Sequence, residues 1–135
     1  MNICGIELKS NNAIVSVIHY ENDEISYINT EKKKIILEND EDIHSILKFK
    51  NEIENFLIEN KIDKISLKKR AKKGTFTGGA VTFKSEAIIQ LINKCEVVFV
   101  TGQAIAKYTK ANDIVLPNKL NKYQEHAYYS SLLLI

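Results

Sequence analysis

Residues 2–20 read NICGIELKSNNAIVSVIHY, two apolar runs on either side of the turn Ser10-Asn11-Asn12. Short apolar runs bounded by turn residues are typical of β-strands, and the second run is rich in β-branched residues, which favour strands. We therefore expect residues 2–9 and 13–20 to form an antiparallel hairpin. This start decides the predicted fold, because it requires a sheet that opens with antiparallel strands.

Beyond the hairpin, the patterns predict a third strand and then helices that alternate with strands. In order, they are a third strand at residues 25–28 and 34–37, bent or interrupted between the two; a helix that ends near residue 59; a fourth strand at residues 62–68; a helix from residue 82; a fifth strand at residues 96–100; a short helix at residues 103–109; and a final helix at about residues 121–134. Apolar residues at helical spacing support each long helix.

Individual residues predict where two helices begin and where the fifth strand lies. Asn39 and Asp40 are good N-caps for the first helix, and Thr82 can cap the second. The run at residues 96–100 is almost entirely apolar. Such a run is typical of a strand that is buried on both faces, so we expect it to be an interior or near-interior strand of the sheet.

The predicted order of elements is β-β-β-α-β-α-β-α-α. It indicates one α/β domain over residues 1–135, a mixed five-stranded sheet flanked by helices. The first three strands are expected to be antiparallel, and the fourth and fifth to run parallel to the first. Right-handed crossovers then bring the ends of the first and fourth strands together, at the place where open α/β sheets bind ligands.

Composition limits the class of protein. The chain has 135 residues, of which 44% are hydrophobic and 27% are charged, as in ordinary globular domains. No apolar run approaches the ~20 residues of a membrane span, and the first residues lack the layout of a signal peptide. With only two cysteines, the sequence favours a cytoplasmic protein with no membrane partner.

The charge is distributed unevenly along the chain. The net charge is only +2, but residues 64–85 contain seven cations and no acid. Lysine and arginine contact phosphate oxygens, and glycines let a backbone come close, so this basic segment predicts anion binding. A solubilising charged loop is the alternative. The predicted nucleic-acid-binding residues are Lys68, Lys69, Arg70, Lys72, Lys73 and Lys84.

Candidate catalytic residues lie on the first strand and on the last helix. Glu7 is an acid in an otherwise apolar strand, and Gly5 on the same face leaves room for an approaching group. A carboxylate there is suited to a divalent cation, and Glu125, His126 and Gln124 of the last helix are candidates to complete the cluster. The alternative for Glu7 is a strand-end acid that faces solvent or pairs with a lysine. The alternative for the residues of the last helix is a solvated helix edge. The histidines have no zinc-ligand spacing.

Four stretches spread over nearly the whole chain are distinctive: NICGIELK at residues 2–9, KKRAKKG at residues 68–74, GGAVTFK at residues 78–84 and LNKYQ at residues 120–124. Together they resemble one bacterial family of uncharacterised proteins, domain of unknown function 3010. The family name implies no activity.

More distantly, the plan resembles the Holliday-junction resolvases and their ribonuclease H-like relatives. This resemblance implies two-metal phosphodiester hydrolysis by acids on the first strand, at the end of the fourth strand and on the last helix. Glu7 matches the first acid and Glu125 the last, whereas Lys68 or Lys69 stands at the fourth strand. Glu86 is a candidate substitute. We expect Lys68 or Lys69 to point toward Glu7.

Three functional hypotheses follow. The first is a ribonuclease H-like domain that binds DNA or RNA through the basic segment, as a diverged or inactive nuclease without a bound metal. The second is an active Mg²⁺-dependent nuclease with Glu7, Glu86 and Glu125 as catalytic residues. The third is a module that binds a small anion or a protein partner. A homodimer is compatible with each of them. The sequence does not distinguish DNA from RNA as the ligand.

Overall fold

The computed structural model describes residues 1–69 and 79–135. Its strands are β1 (Asn2–Lys9), β2 (Asn12–Glu21), β3 (Glu24–Ile28), β4 (Lys34–Ile36), β5 (Lys64–Lys69) and β6 (Glu96–Thr101). Its α-helices are α1 (Ile43–Glu59), α2 (Ala80–Leu91), α3 (Gly102–Ala111) and α4 (Glu125–Leu132), and a short 3₁₀ helix at Lys122–Gln124 precedes α4.

The sheet has the predicted directions. Its strands lie in the order β3-β2-β1-β5-β6, with β4 paired to β2. Strand β2 pairs antiparallel with β1, β3 and β4. Strand β5 runs parallel to β1, and β6 runs parallel to β5. The prediction of a mixed α/β sheet flanked by helices is therefore confirmed. The predicted number of five strands is wrong, because the third strand is two separate strands and the sheet has six.

The interruption of the third strand leaves a gap beside the middle of β2. Strand β3 pairs with β2 from Val17 onward, and β4 pairs with β2 only as far as Ile14. Within the gap, the amide of Val15 donates to the carbonyl of Lys33 at 3.0 Å. The carbonyl of Val15 accepts instead from the side-chain amide of Gln124, which reaches it from the last helical segment.

Strand β6 is not inside the sheet. Among the described residues it is an edge strand, and its residue Phe99 is 37% exposed. The prediction that residues 96–100 form a strand buried on both faces is therefore wrong. An apolar run does not distinguish a central strand from an edge strand that a helix covers on one side only.

The helices begin at other residues than predicted. Asn39 and Asp40 do not cap α1; its N-cap is Asp42, whose carboxylate accepts from the amide of His44 at 3.2 Å. Helix α2 is capped by Gly79, and the hydroxyl of Thr82 donates back to the carbonyl of Gly79. The short helix predicted at residues 103–109 is confirmed as α3.

The two faces of the sheet differ in chemistry. Helices α1 and α2 cover an apolar face to which β1 contributes Cys4 and Ile6, and β5 contributes Ile65 and Leu67. Helix α4 lies on the other face, where the middle of the sheet presents small residues: Gly5, Ser16 and Ser66. No helix in the described ranges is long and apolar enough to cross a membrane.

Candidate functional site

The candidate site lies at the carboxyl ends of β1 and β5, on the face that α4 covers. Ile6 of β1 is in register with Leu67 of β5, so the next residues, Glu7 and Lys68, stand side by side and point to the opposite face. Lys68 Nζ is 2.8 Å from Glu7 Oε2. The prediction that Lys68 or Lys69 points toward Glu7 is confirmed.

A third side chain, His126 of α4, completes this group. Its Nδ1 atom lies 3.1 Å from Lys68 Nζ and 4.0 Å from Glu7 Oε2. The three side chains become more exposed from the sheet outward, at 13% for Glu7, 22% for Lys68 and 54% for His126. We call these three residues the strand-end triad.

The geometry of the triad assigns a tautomer to His126. A lysine ammonium only donates hydrogen bonds, so Nδ1 of His126 must accept from Lys68. In a neutral imidazole the other nitrogen then carries the proton. His126 therefore presents an N–H donor at Nε2, while Lys68 is shared between a carboxylate and an imidazole.

Gly5 places α4 over the triad. A Cβ atom added to Gly5 would lie 1.8 Å from the carbonyl oxygen of Ala127 and 2.7 Å from Ser130 Oγ. Ser66 donates to the carbonyl of Ser130 at 2.6 Å, which ties β5 to the same helix. We expected Gly5 to leave room for a ligand; the space is filled by the backbone of α4.

Gln124 is not available as a ligand. It is fully buried, and its Nε2 donates to the carbonyl of Val15 at 2.9 Å. Its Oε1 accepts from the backbone amide of Asn121 at 3.0 Å and from the side-chain amide at 3.2 Å. Gln124 therefore joins the start of α4 to the gap in the sheet, which explains why its polar groups need no metal.

The other predicted site residues that the structure describes lie on α4, α2 and β5. Glu125 is in the first turn of α4, where burial raises the pKa of Tyr129 and the carboxylate of Glu125 raises it further. Lys84 of α2 pairs with Asp40, with its Nζ 3.2 Å from the carboxylate. Glu86 also lies in α2, and Lys69 is exposed at the end of β5.

Three of the predicted nucleic-acid-binding residues, Arg70, Lys72 and Lys73, lie outside the described residues. His126 was one of the candidates to complete the cluster with Glu7, but Glu125 was chosen as the catalytic residue of the last helix. Adjacent residues on a helix point about 100° apart, so only the rotation of α4 on the sheet decides which of them faces Glu7.

The sequence profile of the family described as "Protein of unknown function (DUF3010)" matches residues 1–133. The chain belongs to this family. The description gives no activity, and no curated protein matches the chain.

Solved structures show which fold this is. The chain is similar to Thermus thermophilus RuvC at a TM-score of 0.64 and 7% identity, covering 99% of this chain and 92% of that one. For T. thermophilus RuvC in complex with Holliday junction substrate the TM-score is 0.69 at 6% identity, with coverages of 99% and 91%. The yeast mitochondrial Holliday junction resolvase Ydc2 has a TM-score of 0.58 at 12% identity, with coverages of 97% and 74%. The fold is ribonuclease H-like.

The side chains at the strand ends do not suit the divalent metals that such a fold implies. Across residues 1–69 and 79–135, no group of three or more His, Cys, Asp and Glu side chains is close enough to hold a metal ion. The remaining nine residues, RAKKGTFTG, contain none of these four types. Glu7, Glu86 and Glu125 are thus not brought together as a metal-ligand set, and their catalytic role stays a prediction.

Proposed function

We propose that this protein binds nucleic acid at the carboxyl ends of β1 and β5 and does not hydrolyse it by a two-metal mechanism. The observation that carries the proposal is the ammonium of Lys68, 2.8 Å from the carboxylate of Glu7. It stands where a divalent ion would have to bind that carboxylate, at an end of the sheet from which the chain continues into a run of cations.

Electrostatics argue against a metal beside this pair. Two unit charges 4 Å apart interact by about 4 kcal/mol at an effective dielectric constant of 20, so an ammonium repels a divalent ion by about 8 kcal/mol. Glu7 would also lose its hydrogen bond to Lys68, which is worth about 1.5–3 kcal/mol for a charged pair. With a lysine in place of an acid, this end of the sheet favours phosphate groups over metal ions.

Positive charge at this end supports a polyanion as the ligand. Lys69 is exposed at the last position of β5, and the sequence continues with Arg70, Lys72 and Lys73. Two of the similar structures, from T. thermophilus and fowlpox virus, are complexes with a Holliday junction. Lysine and arginine bind the phosphate backbone irrespective of sequence, so we expect affinity for nucleic acid in general and a steep dependence on salt.

The proposed setting is the bacterial cytoplasm. Cys4 and Cys95 are both free thiols, and thiols stay reduced in that compartment.

The binding proposal is tested by reversing charges in the basic segment of the sequence that follows β5. In fluorescence anisotropy at three salt concentrations, Lys72→Glu/Lys73→Glu should weaken binding to a Holliday junction and to duplex DNA alike. Two lost phosphate contacts should flatten the slope of log affinity against log salt by about 2. The matched control is Lys61→Glu/Lys94→Glu, an equal change of charge just before β5 and β6, at the other end of the sheet; it should leave the slope nearly unchanged. Equal effects of the two double variants would refute the proposed interface.

The absence of two-metal hydrolysis is tested separately. Wild-type protein incubated with a labelled junction and with Mg²⁺ or Mn²⁺ should leave the strands intact. Cleavage that requires the metal and is lost in Glu7→Gln would contradict the proposal and establish the nuclease hypothesis instead.

A further inference from the structure

The register of the sheet places a second lysine on the same face as the triad. Glu7 pairs with Ile14 of β2, and Ile14 pairs with Lys34 of β4, so Lys34, Ile14, Glu7 and Lys68 form one row across the sheet. Paired residues on neighbouring strands share a face. At about 4.8 Å per strand, Lys34 lies roughly 14 Å from Lys68 along this row.

Lys34 is joined to an aromatic ring. Its Nζ lies 4.2 Å from the ring centroid of Tyr123, within the range of a cation–π interaction. Tyr123 is 40% exposed, although it belongs to the segment that anchors α4. Its neighbours fix its position, because Asn121 and Gln124 form a capping box on either side of it and Gln124 is tied to Val15.

Further cations lie on this face of the sheet and beside Tyr123 in sequence. Lys9 pairs with Asn12 one row beyond Glu7 and Ile14, on the face of the triad, and Lys122 directly precedes Tyr123. Glu7, the acid of the row, is paired with Lys68, and Glu125 lies in the first turn of α4. An exposed aromatic ring between cations is the arrangement with which proteins hold a base and its flanking phosphates.

We propose that Tyr123 stacks on an unpaired base, with Lys34 and Lys9 contacting the adjoining phosphates, so that the ligand is a nucleic acid with a single-stranded segment. This inference rests on the proposed function, since one nucleic-acid strand would run from Tyr123 along the row of residues to Lys68. It adds a substrate class, because a base inside a duplex is stacked on its neighbours and is not free to cover the ring.

The ring is tested with three single variants and two ligands. Tyr123→Ala should weaken binding of a 12-nucleotide single strand by about tenfold, within the range for loss of one base–aromatic stack, and leave a blunt duplex unaffected. Tyr123→Phe keeps the ring and should bind the single strand as the wild type does. Tyr20→Ala removes a tyrosine at the far end of β2 and should have no effect. Single-stranded DNA and RNA are compared in parallel, with inorganic polyphosphate as a ligand without bases.

A second measurement uses the wild-type protein, in case Tyr123→Ala does not fold. A single strand that carries 5-iodouracil should crosslink on irradiation to the peptide that contains Tyr123. Crosslinks confined to other peptides, equal losses of single strand and duplex, or no loss would each overturn this inference.

These failures are distinguishable from failure of the proposed function. If wild-type protein binds no nucleic acid at any salt concentration, the proposed function falls and the inference falls with it. If it binds steeply with salt but Tyr123→Ala binds both ligands as the wild type does, only the stacking role of Tyr123 is refuted.

Discussion

The two faces of the sheet are held to their helices in different ways. On the face of α1 and α2, large apolar side chains such as Ile6, Ile65 and Phe49 separate helix from strand. On the face of α4, Gly5 allows the backbone of the helix to touch the strand, and Ser66 and Ser130 exchange hydrogen bonds at 2.6 and 3.3 Å. The face of α1 and α2 supplies stability that depends on volume. The face of α4 has an apolar cluster of its own around Ile3, Ile18, Tyr128 and Leu132, but at Gly5 it adds a backbone contact that fixes the distance between helix and sheet.

This difference explains where the candidate site lies. Apolar packing tolerates small adjustments, because one aliphatic side chain can replace another of similar volume. A backbone contact with hydrogen bonds on both sides does not adjust in this way. His126, one residue before the contact at Ala127, is therefore held over Glu7 and Lys68 with little freedom.

The largest effect is expected for Gly5→Ala, which tests the backbone contact. The new Cβ would lie 1.8 Å from the carbonyl oxygen of Ala127, so α4 must move away from the sheet. Overpacking usually costs about 1–3 kcal/mol, and we expect about 4 kcal/mol or more here because the obstacle is backbone. Gly102→Ala is the control, since its Cβ would meet only Lys68 Cε at 3.7 Å. Urea unfolding measures both, and similar small losses would show that α4 is not held by this contact.

A smaller loss, about 3 kcal/mol, is expected for Ile65→Ala on the apolar face. Truncation of a fully buried isoleucine leaves a cavity in the core, which typically costs about 2–5 kcal/mol of the free energy of unfolding. The comparison of the faces predicts that this variant, although less stable, keeps the triad in place. The NMR signals of the His126 ring should therefore shift in Gly5→Ala and stay unchanged in Ile65→Ala. A shift in both variants would mean that the apolar face also positions the triad.

Gln124→Ala should cost about 2 kcal/mol. It removes the donor to the carbonyl of Val15 and leaves that buried acceptor unsatisfied, at about 1–3 kcal/mol. Gln90→Ala, at an exposed position of α2, should stay within about 0.5 kcal/mol of the wild type. Thermal unfolding of the two variants in parallel decides the matter, and equal melting temperatures would show that water satisfies Val15.

The smallest effect is a dependence on alkaline pH that belongs to the apolar face. Burial is the main cause that raises the pKa of the Cys4 thiol, with a smaller contribution from Cys95. The unfolded chain loses this proton near pH 8.5 while the folded chain keeps it, so stability is full below that pH and falls above it, by up to about 1.4 kcal/mol per pH unit. Between pH 8.5 and 10 the wild type should lose about 1.6 kcal/mol more than Cys4→Ala. Parallel curves for both proteins would contradict this prediction.

The sequence predicted the parts of the fold that depend on local pattern and chain direction. The turn at Ser10 and the run of β-branched residues after it identified the hairpin, and alternation of helix and strand identified β5 and β6 as parallel. From these directions alone, Lys68 or Lys69 was expected to point toward Glu7, and Lys68 does so. It was a consequence of topology, which needs no side-chain detail.

The parts that failed depend on how elements meet. An apolar run such as residues 96–100 occurs both in central strands and in edge strands. The pattern therefore did not reveal that β6 is an edge strand of the described sheet. Gly5 was expected to admit a ligand, and the helix that fills its space is distant in sequence. Gln124 was a candidate polar ligand or part of a solvated helix edge, and it is buried instead against Val15, 109 residues away. Each case required the position of α4, which local periodicity does not determine.

The contact at Gly5 also restricts how this chain can diverge. A side chain at position 5 is compatible with the fold only if the backbone of α4 moves away from the sheet, so position 5 should remain glycine whatever residue stands at position 127. The residues that face α1 carry no such restriction, since compensating changes of volume are available to them. Among relatives of this protein, the glycine under α4 should therefore vary less than the large apolar residues that face α1.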